Sequence, residues 1–458
     1  MRFRVILFND FLSNELLSKE TLSVLFLTLK FSLLALILSW FGSLVFVFFV
    51  RHLPFVFSVF KLLWVLPGFA YALVTLEILK CLNVTNRYSM MTVTLAWIFA
   101  GIPYLALSMQ NAIQDLDFRE KEVIQSLGAK PLRAFYFFEF LRTGPSQGAA
   151  LLQQFWLYLT SFSLVMILSG GFPSETLEVA IFSSVRLDHV DFARALALGI
   201  WQMLLLIPLR IVLNRVQIRT GVSEWARDQK VKTKAKGFYF KILTASILLL
   251  FLIVPFVKGS SRLELAGMGG AIFTSLVLGT GVSIISLVWA IVFYGLKMSF
   301  IAEIGAWFSP MLLTLLWWRQ FAFTLLPWAN ALFVQVILFS PWIARMLYPI
   351  LGRIRRPELE AARSLGCSPL QAWVHVEWPR LKPTLFFGLS VVFALSCTEV
   401  ASVLLFAQRD FEPLSVWVQN SFMRFRLDEA MLGTCILIAI SFMALNLRGI
   451  FGGKHERT

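Results

Sequence analysis

Apolar residues arrive in long blocks, at 31–50, 62–79, 89–107, 148–172, 195–213, 239–257, 269–296, 311–326, 329–347, 384–407 and 429–447. Roughly 20 apolar residues cross the hydrocarbon core of a bilayer as a helix. The blocks are continuous and lack the two-residue alternation of outer-membrane strands. The pattern predicts an all-α polytopic membrane protein of about eleven transmembrane helices. Composition agrees: of 458 residues, 58% are hydrophobic and 15% charged, with a mean hydropathy of +0.76, beyond the apolar content of a soluble globular chain. The opening run "MRFRVILFNDFLSNELLSKE" is interrupted by Asn9 and Asp10, so no cleavable signal peptide is expected.

The net charge of +15 reads as topology rather than as a nucleic-acid surface, because Lys and Arg near spans stay on the cytoplasmic side. Residues 111–143 hold Arg119, Lys121, Lys130, Arg133 and Arg142, and 215–241 hold eight more Lys and Arg residues. With these loops in the cytoplasm, 350–383 and the C-terminus also fall there, while 173–194, 258–268 and 408–428 fall outside. The same parity leaves residues 1–22 outside, with Arg2 and Arg4 on the unfavoured face; an interfacial segment or an additional first span would account for them. The basic stretch divides the chain into a first transmembrane half, 1–213, a cytoplasmic linker, 214–241, and a second half, 242–458.

The cytoplasmic segments are duplicated. Shifted by 238 residues, "EKEVIQSLGAKPLRAFYFFEFLRTGP" (120–145) lies over "ELEAARSLGCSPLQAWVHVEWPRLKP" (358–383) with eleven identical positions, and Pro103 and Pro341 keep the offset. Each copy predicts a short helix, a left-handed glycine corner at Gly128 or Gly366, and a second short helix begun near Pro131 or Pro369. Ser368 is a good cap for that second helix and Lys130 a poor one. Glu139 with Arg142, and Glu377 with Arg380, are spaced to pair along it. Parallel repeats of this kind put a transport path at the repeat interface.

"EAARSLG" (Glu360 to Gly366) resembles the E-A-A, three residues, G signature of the inner-membrane permease subunits of binding-protein-dependent ABC importers. "EVIQSLG" (Glu122 to Gly128) keeps Glu and Gly but has Val123 and Ile124 in place of the alanines, which implies altered coupling at that end. The resemblance implies a type I importer fold with two homologous permease bundles. It further implies two ATPase-coupling loops, one with Glu120, Glu122, Gly128 and Pro131, the other with Glu358, Glu360, Ala361, Ala362, Gly366 and Pro369. Partners implied are a homodimeric ABC ATPase at the cytoplasmic face, a periplasmic binding protein that delivers solute to 173–194 and 408–428, and the lipid bilayer of a bacterial inner membrane. No nucleic acid is expected.

Two signatures in one chain resemble the fused permeases, and residues 160–202 and 394–430 look like the thiamine branch; iron(III) permeases share the plan. Such fused permeases have six spans per half, whereas the first half here shows five, so a compact variant or a start set downstream is expected. "GGKHE" lacks the leading glycine and the Ser/Thr of a Walker sequence. The chain is therefore expected to bind no cofactor and to be no enzyme, with ATP and Mg held by the partner ATPase.

For a cationic solute such as thiamine, Glu399 within "SCTEVAS" is the candidate intramembrane acid, and Trp156, Tyr158 and Trp417 are candidate aromatic faces. Interfacial anchoring is the competing reading of each aromatic, and structural pairing that of Glu399. Arg319 and Lys30 read as paired or snorkelling residues. The four His residues and four Cys residues form no metal or disulfide pattern. An ion-coupled secondary transporter, which also uses repeats and midplane acids, is the rival of another class.

Overall fold

The computed structural model describes residues 15–50, 60, 63, 66–114, 116, 126, 128, 130–171, 174–186, 190–220, 267–322, 324–353, 364, 366–368, 371, 378–408 and 410–451. They form two compact units. The first contains α1 (Lys19–Val50), α2 (Gly68–Cys81), α3 (Met90–Gln114), α4 (Pro131–Ala134), a π-helix (Phe135–Phe140), α5 (Gly144–Leu159), α6 (Ser163–Leu168), α7 (Leu177–Arg186) and α8 (Phe192–Thr220). The second contains α9 (Met268–Gly295), α10 (Ser299–Ala302), a 3₁₀ turn (Ile304–Trp307), α11 (Pro310–Phe321), α12 (Pro327–Arg353), α13 (Trp378–Thr398), α14 (Ala401–Leu404), α15 (Leu414–Met423) and α16 (Leu427–Phe451). The fold is all-α, and the described residues contain no strand.

Among the described residues, seven helices, α1, α3, α8, α9, α12, α13 and α16, are long and apolar enough to cross a membrane. Three of the predicted spans are shorter than the blocks suggested. The block at 62–79 yields only the 14-residue α2, which starts after Pro67 in extended conformation. The block at 311–326 yields the 12-residue α11, fixed at its start by Ser309, whose Oγ accepts the Leu312 N–H at 3.2 Å. The block at 148–172 is broken at Thr160–Phe162 between α5 and α6. The block at 239–257 lies outside the described residues. The expected linker is still helical from 214 to Thr220 as the end of α8; its remainder lies outside the described residues.

The first described spans of the two units bury the same pattern. α1 turns Val24, Thr28, Ser32, Ala35, Ser39 and Ser43 inward, and α9 turns Ala271, Ser275, Gly279, Val282, Ser286 and Ala290 inward. Each pair is 247 residues apart. Small residues let membrane helices approach closely, and Gly279 illustrates it: a Cβ there would lie 2.8 Å from Cys397 Sγ on α13. Hydroxyls on such a face need acceptors, and those of Thr28, Ser32 and Ser39 donate to the carbonyls of Val24, Thr28 and Ala35, at 2.8, 2.7 and 2.6 Å.

The first unit also places the ends of its helices. Arg194 at the start of α8 pairs with Glu20 at 3.3 Å, and the Trp201 indole donates to the Leu16 carbonyl at 2.9 Å. At the opposite end, Val47 of α1 and Ala106, Met109 and Ile113 of α3 cluster around Phe135. The described end of the first duplicated segment is thus packed, through Phe135, on the C-terminal ends of α1 and α3, away from the start of α8.

Candidate functional site

Each signature segment turns on a glycine. Gly128 has φ +82° and Gly366 φ +84°, the left-handed region open to glycine at no steric cost. A Cβ on either would meet nothing within 4 Å, so the requirement is one of backbone conformation, not of space. Both corners are exposed.

The helices that follow are anchored differently. Ser368 and Gln371 cap each other: the Gln371 N–H donates to Ser368 Oγ at 3.3 Å, and the Ser368 N–H donates to Gln371 Oε1 at 2.9 Å. This reciprocal pair satisfies two N–H groups at a helix start. In the first copy Lys130 contributes only its carbonyl, which accepts the Ala134 N–H at 3.0 Å. Pro131 opens α4 as expected. Glu120, Glu122, Glu358, Glu360, Ala361, Ala362 and Pro369 lie outside the described residues, as does Glu377.

Beyond α4 the backbone widens into the π-helix, with the Leu141 N–H donating to the Tyr136 carbonyl at 3.1 Å. Such widened turns are frequent at functional sites. The extra residue per turn buries Phe135, Phe138 and Glu139 while exposing Tyr136 and Phe137. The Arg142 guanidinium lies over the Phe138 ring at 5.9 Å. Gln147, on α5, then joins the segment to the spans: its amide donates to Thr143 Oγ1 at 2.7 Å and to the Phe140 carbonyl at 3.2 Å, and its Oε1 accepts the Trp40 indole N–H of α1 at 3.3 Å. A buried carboxamide thus links the end of the π-helix to both α1 and α5.

The candidate solute-path residues fall two in each unit. Tyr158 is 2% exposed, stacked on Trp97 with centroids 5.2 Å apart. Its hydroxyl donates to the Trp97 carbonyl at 2.7 Å and lies 2.9 Å from Ser39 Oγ, so it joins α5 to α3 and α1. Gly101 makes the approach possible, since a Cβ there would collide with the Tyr158 hydroxyl and Ser39. Trp156 is buried beneath the Arg210 guanidinium, 5.5 Å from its ring. In the second unit Trp417 is buried on α15 against Gly433 of α16, where a Cβ would lie 3.0 Å from the indole. Glu399 sits in the break between α13 and α14. Its carboxylate accepts the Ala401 N–H at 3.0 Å, and its carbonyl accepts the Ser415 hydroxyl at 2.8 Å. Lys30 lies over Phe31 at 5.4 Å and Arg319 is exposed.

Two buried polar clusters escaped the sequence reading. In the first unit the fully buried Gln202 donates to Glu178 and to the Leu159 carbonyl. In the second, Ser396 donates to Gln335 Oε1 at 2.5 Å and Gln335 donates to Ser402 Oγ at 3.2 Å. A lone glutamine inside an apolar block was the available signal, because a buried amide demands partners. Among the described residues, no three His, Cys, Asp or Glu side chains group as metal ligands.

No family profile and no solved structure matches the chain. Curated relatives do. The thiamine transport system permease protein ThiP of Escherichia coli is 22% identical over 81% of this chain and 75% of its own length. That of Salmonella typhimurium is 24% identical over the same shares. The probable sulfate transport system permease protein cysT of Nephroselmis olivacea is 25% identical over 30% of this chain and 49% of its own. The long matches extend over both units, and the chain is accordingly similar over most of its length to transport-system permease proteins.

Proposed function

We propose that this chain is the membrane-spanning subunit of an ABC importer in a bacterial inner membrane, carrying thiamine or its phosphate esters from a periplasmic binding protein to the cytoplasm. A separate homodimeric ATPase binds ATP and Mg and drives the cycle by gripping the two glycine-cornered segments. The observation that carries this reading is the recurrence of one corner geometry, at Gly128 and Gly366, inside matched signature segments of two separate units. A solvated loop has no physical reason to keep a left-handed turn followed by a helix start, in duplicate.

Thiamine as solute is supported by the length of the matches to proteins named for thiamine transport, against the partial match to one named for sulfate. Glu399, Trp156 and Trp417 are the candidate contacts for its cationic ring, while the two hydrogen bonds of the Tyr158 hydroxyl favour a bundle-interior role for that residue. The test is uptake into proteoliposomes holding the chain with its ATPase and binding protein, offered labelled thiamine, thiamine diphosphate or ferric iron. ATP-dependent thiamine accumulation is expected. Uptake of iron alone would move the chain to the iron(III) reading, and uptake driven by an ion gradient without ATP would replace it with a secondary transporter.

A further inference from the structure

A second duplicated arrangement lies away from the glycine corners. Helices α7 and α15 are each ten residues long, and their first residues, Leu177 and Leu414, stand 237 positions apart. Neither helix caps itself. Thr176 precedes α7 and is fully buried, yet its hydroxyl makes no hydrogen bond. Pro413 precedes α15 and offers no side-chain acceptor. The acceptor comes from a span instead: the Leu177 N–H donates to Thr28 Oγ1 at 3.0 Å, and the Leu414 N–H donates to Ser275 Oγ at 2.7 Å. Thr28 and Ser275 are equivalent positions of α1 and α9 in the shared buried pattern.

Each short helix also carries the same internal brace. Ser183 Oγ donates to Glu175 Oε2 at 2.8 Å, and Asn420 Nδ2 donates to Glu412 Oε1 at 2.6 Å. Both acids lie two residues before the helix start and eight before their donors. The brace stiffens the short helix; the hydroxyl ties its first turn to a span. Packed helices can slide past one another, but a buried N–H that loses its acceptor is strongly disfavoured.

We propose that Thr28 and Ser275 are positioning residues for transport, each making its span and its short helix move as one body. A rotation of α1 or α9 during the ATPase cycle is thereby delivered to α7 or α15. This rests on the importer reading above, in which 173–194 and 408–428 receive the solute. The device is made of two chemically unlike hydroxyl residues at one position of the repeat, so the hydroxyl oxygen is the common element.

The test uses the chain assembled with its ATPase and binding protein in proteoliposomes. Thr28→Val combined with Ser275→Ala removes both acceptors, whereas Thr28→Ser combined with Ser275→Thr keeps them. The hydroxyl-free pair is expected to lower uptake per ATP hydrolysed by about threefold to tenfold, and the conservative pair to match the parent. Unchanged uptake per ATP in the hydroxyl-free pair, or an equal loss in both pairs, would overturn the proposal. Amide exchange in the parent complex reads the tie independently of any variant. Protection of Leu177 and Leu414 with and without ATP is expected, and lability of either in one state would show that the helix detaches. A parent complex that imports without ATP would overturn the importer reading alone, because the exchange measurement still reports on the tie.

Discussion

Gly128 and Gly366, 238 residues apart in the chain, hold φ values within two degrees of each other. Neither is crowded, so the cost of replacing them is conformational, about 1–2 kcal/mol for an ordinary L-residue in the left-handed region. Gly366→Val is expected to abolish most ATP-driven uptake and Gly366→Asn to retain more, since asparagine tolerates this region better. Uptake per assembled complex, measured alongside co-purification of the ATPase, checks the order. Parental activity in both variants would mean that the corner is dispensable.

The caps differ between copies, and stability should follow. Ser368→Ala is expected to destabilise the second short helix by about 1 kcal/mol, and Lys130→Ser to stabilise the first by a similar amount. Amide exchange over 128–140 and 366–377 measures both. The signs are opposite, which separates capping from a general effect of mutation.

Tyr158→Phe removes a hydroxyl bonded to the Trp97 carbonyl and near Ser39 Oγ. Leaving those buried groups without their partner costs about 1–3 kcal/mol, and thermal unfolding in detergent is expected to fall accordingly. Uptake per folded molecule should be unchanged. A raised KM for thiamine with normal stability would return Tyr158 to the solute path. Gly101→Ala should be more damaging than Tyr158→Phe, and less so when combined with it, because phenylalanine lacks the hydroxyl the added methyl would strike and leaves only the contact with Ser39.

Glu399→Gln keeps an oxygen able to accept the Ala401 N–H while removing the charge. If the carboxylate attracts a cationic solute, KM rises and the folded protein is unaffected. Glu399→Leu also removes the acceptor of the buried Ala401 N–H and is expected to lower stability. Equal thiamine kinetics in Glu399→Gln and the parent would leave the residue a purely structural one.

The sequence made the spans, the duplication and the glycine corners legible because each is written locally: apolar runs, an identical string, a glycine before a proline. Ser368 was legible as a cap for the same reason, with Gln371 three residues on. What escaped was non-local or chemically degenerate. Thr28 meets Leu177 across 149 residues, and no spacing rule connects them. The shared pattern of α1 and α9 was hidden because Ser32 faces the bundle where Gly279 does, and Ser43 where Ala290 does; smallness is common to them, identity is not. The break after Leu159 escaped because its apolar flanks continue the hydropathy signal through Thr160 and Ser161.

The matched inward row on α1 makes that helix sensitive to errors of phase. One residue inserted just before Thr28 would swivel everything upstream by about 100° relative to the rest of the helix. Val24 would leave the bundle and bulky neighbours such as Leu25 or Phe26 would be driven toward it, while Ser32, Ala35, Ser39 and Ser43 stayed in place. A frame slip of one position in this helix is thus a graver injury than many substitutions along it.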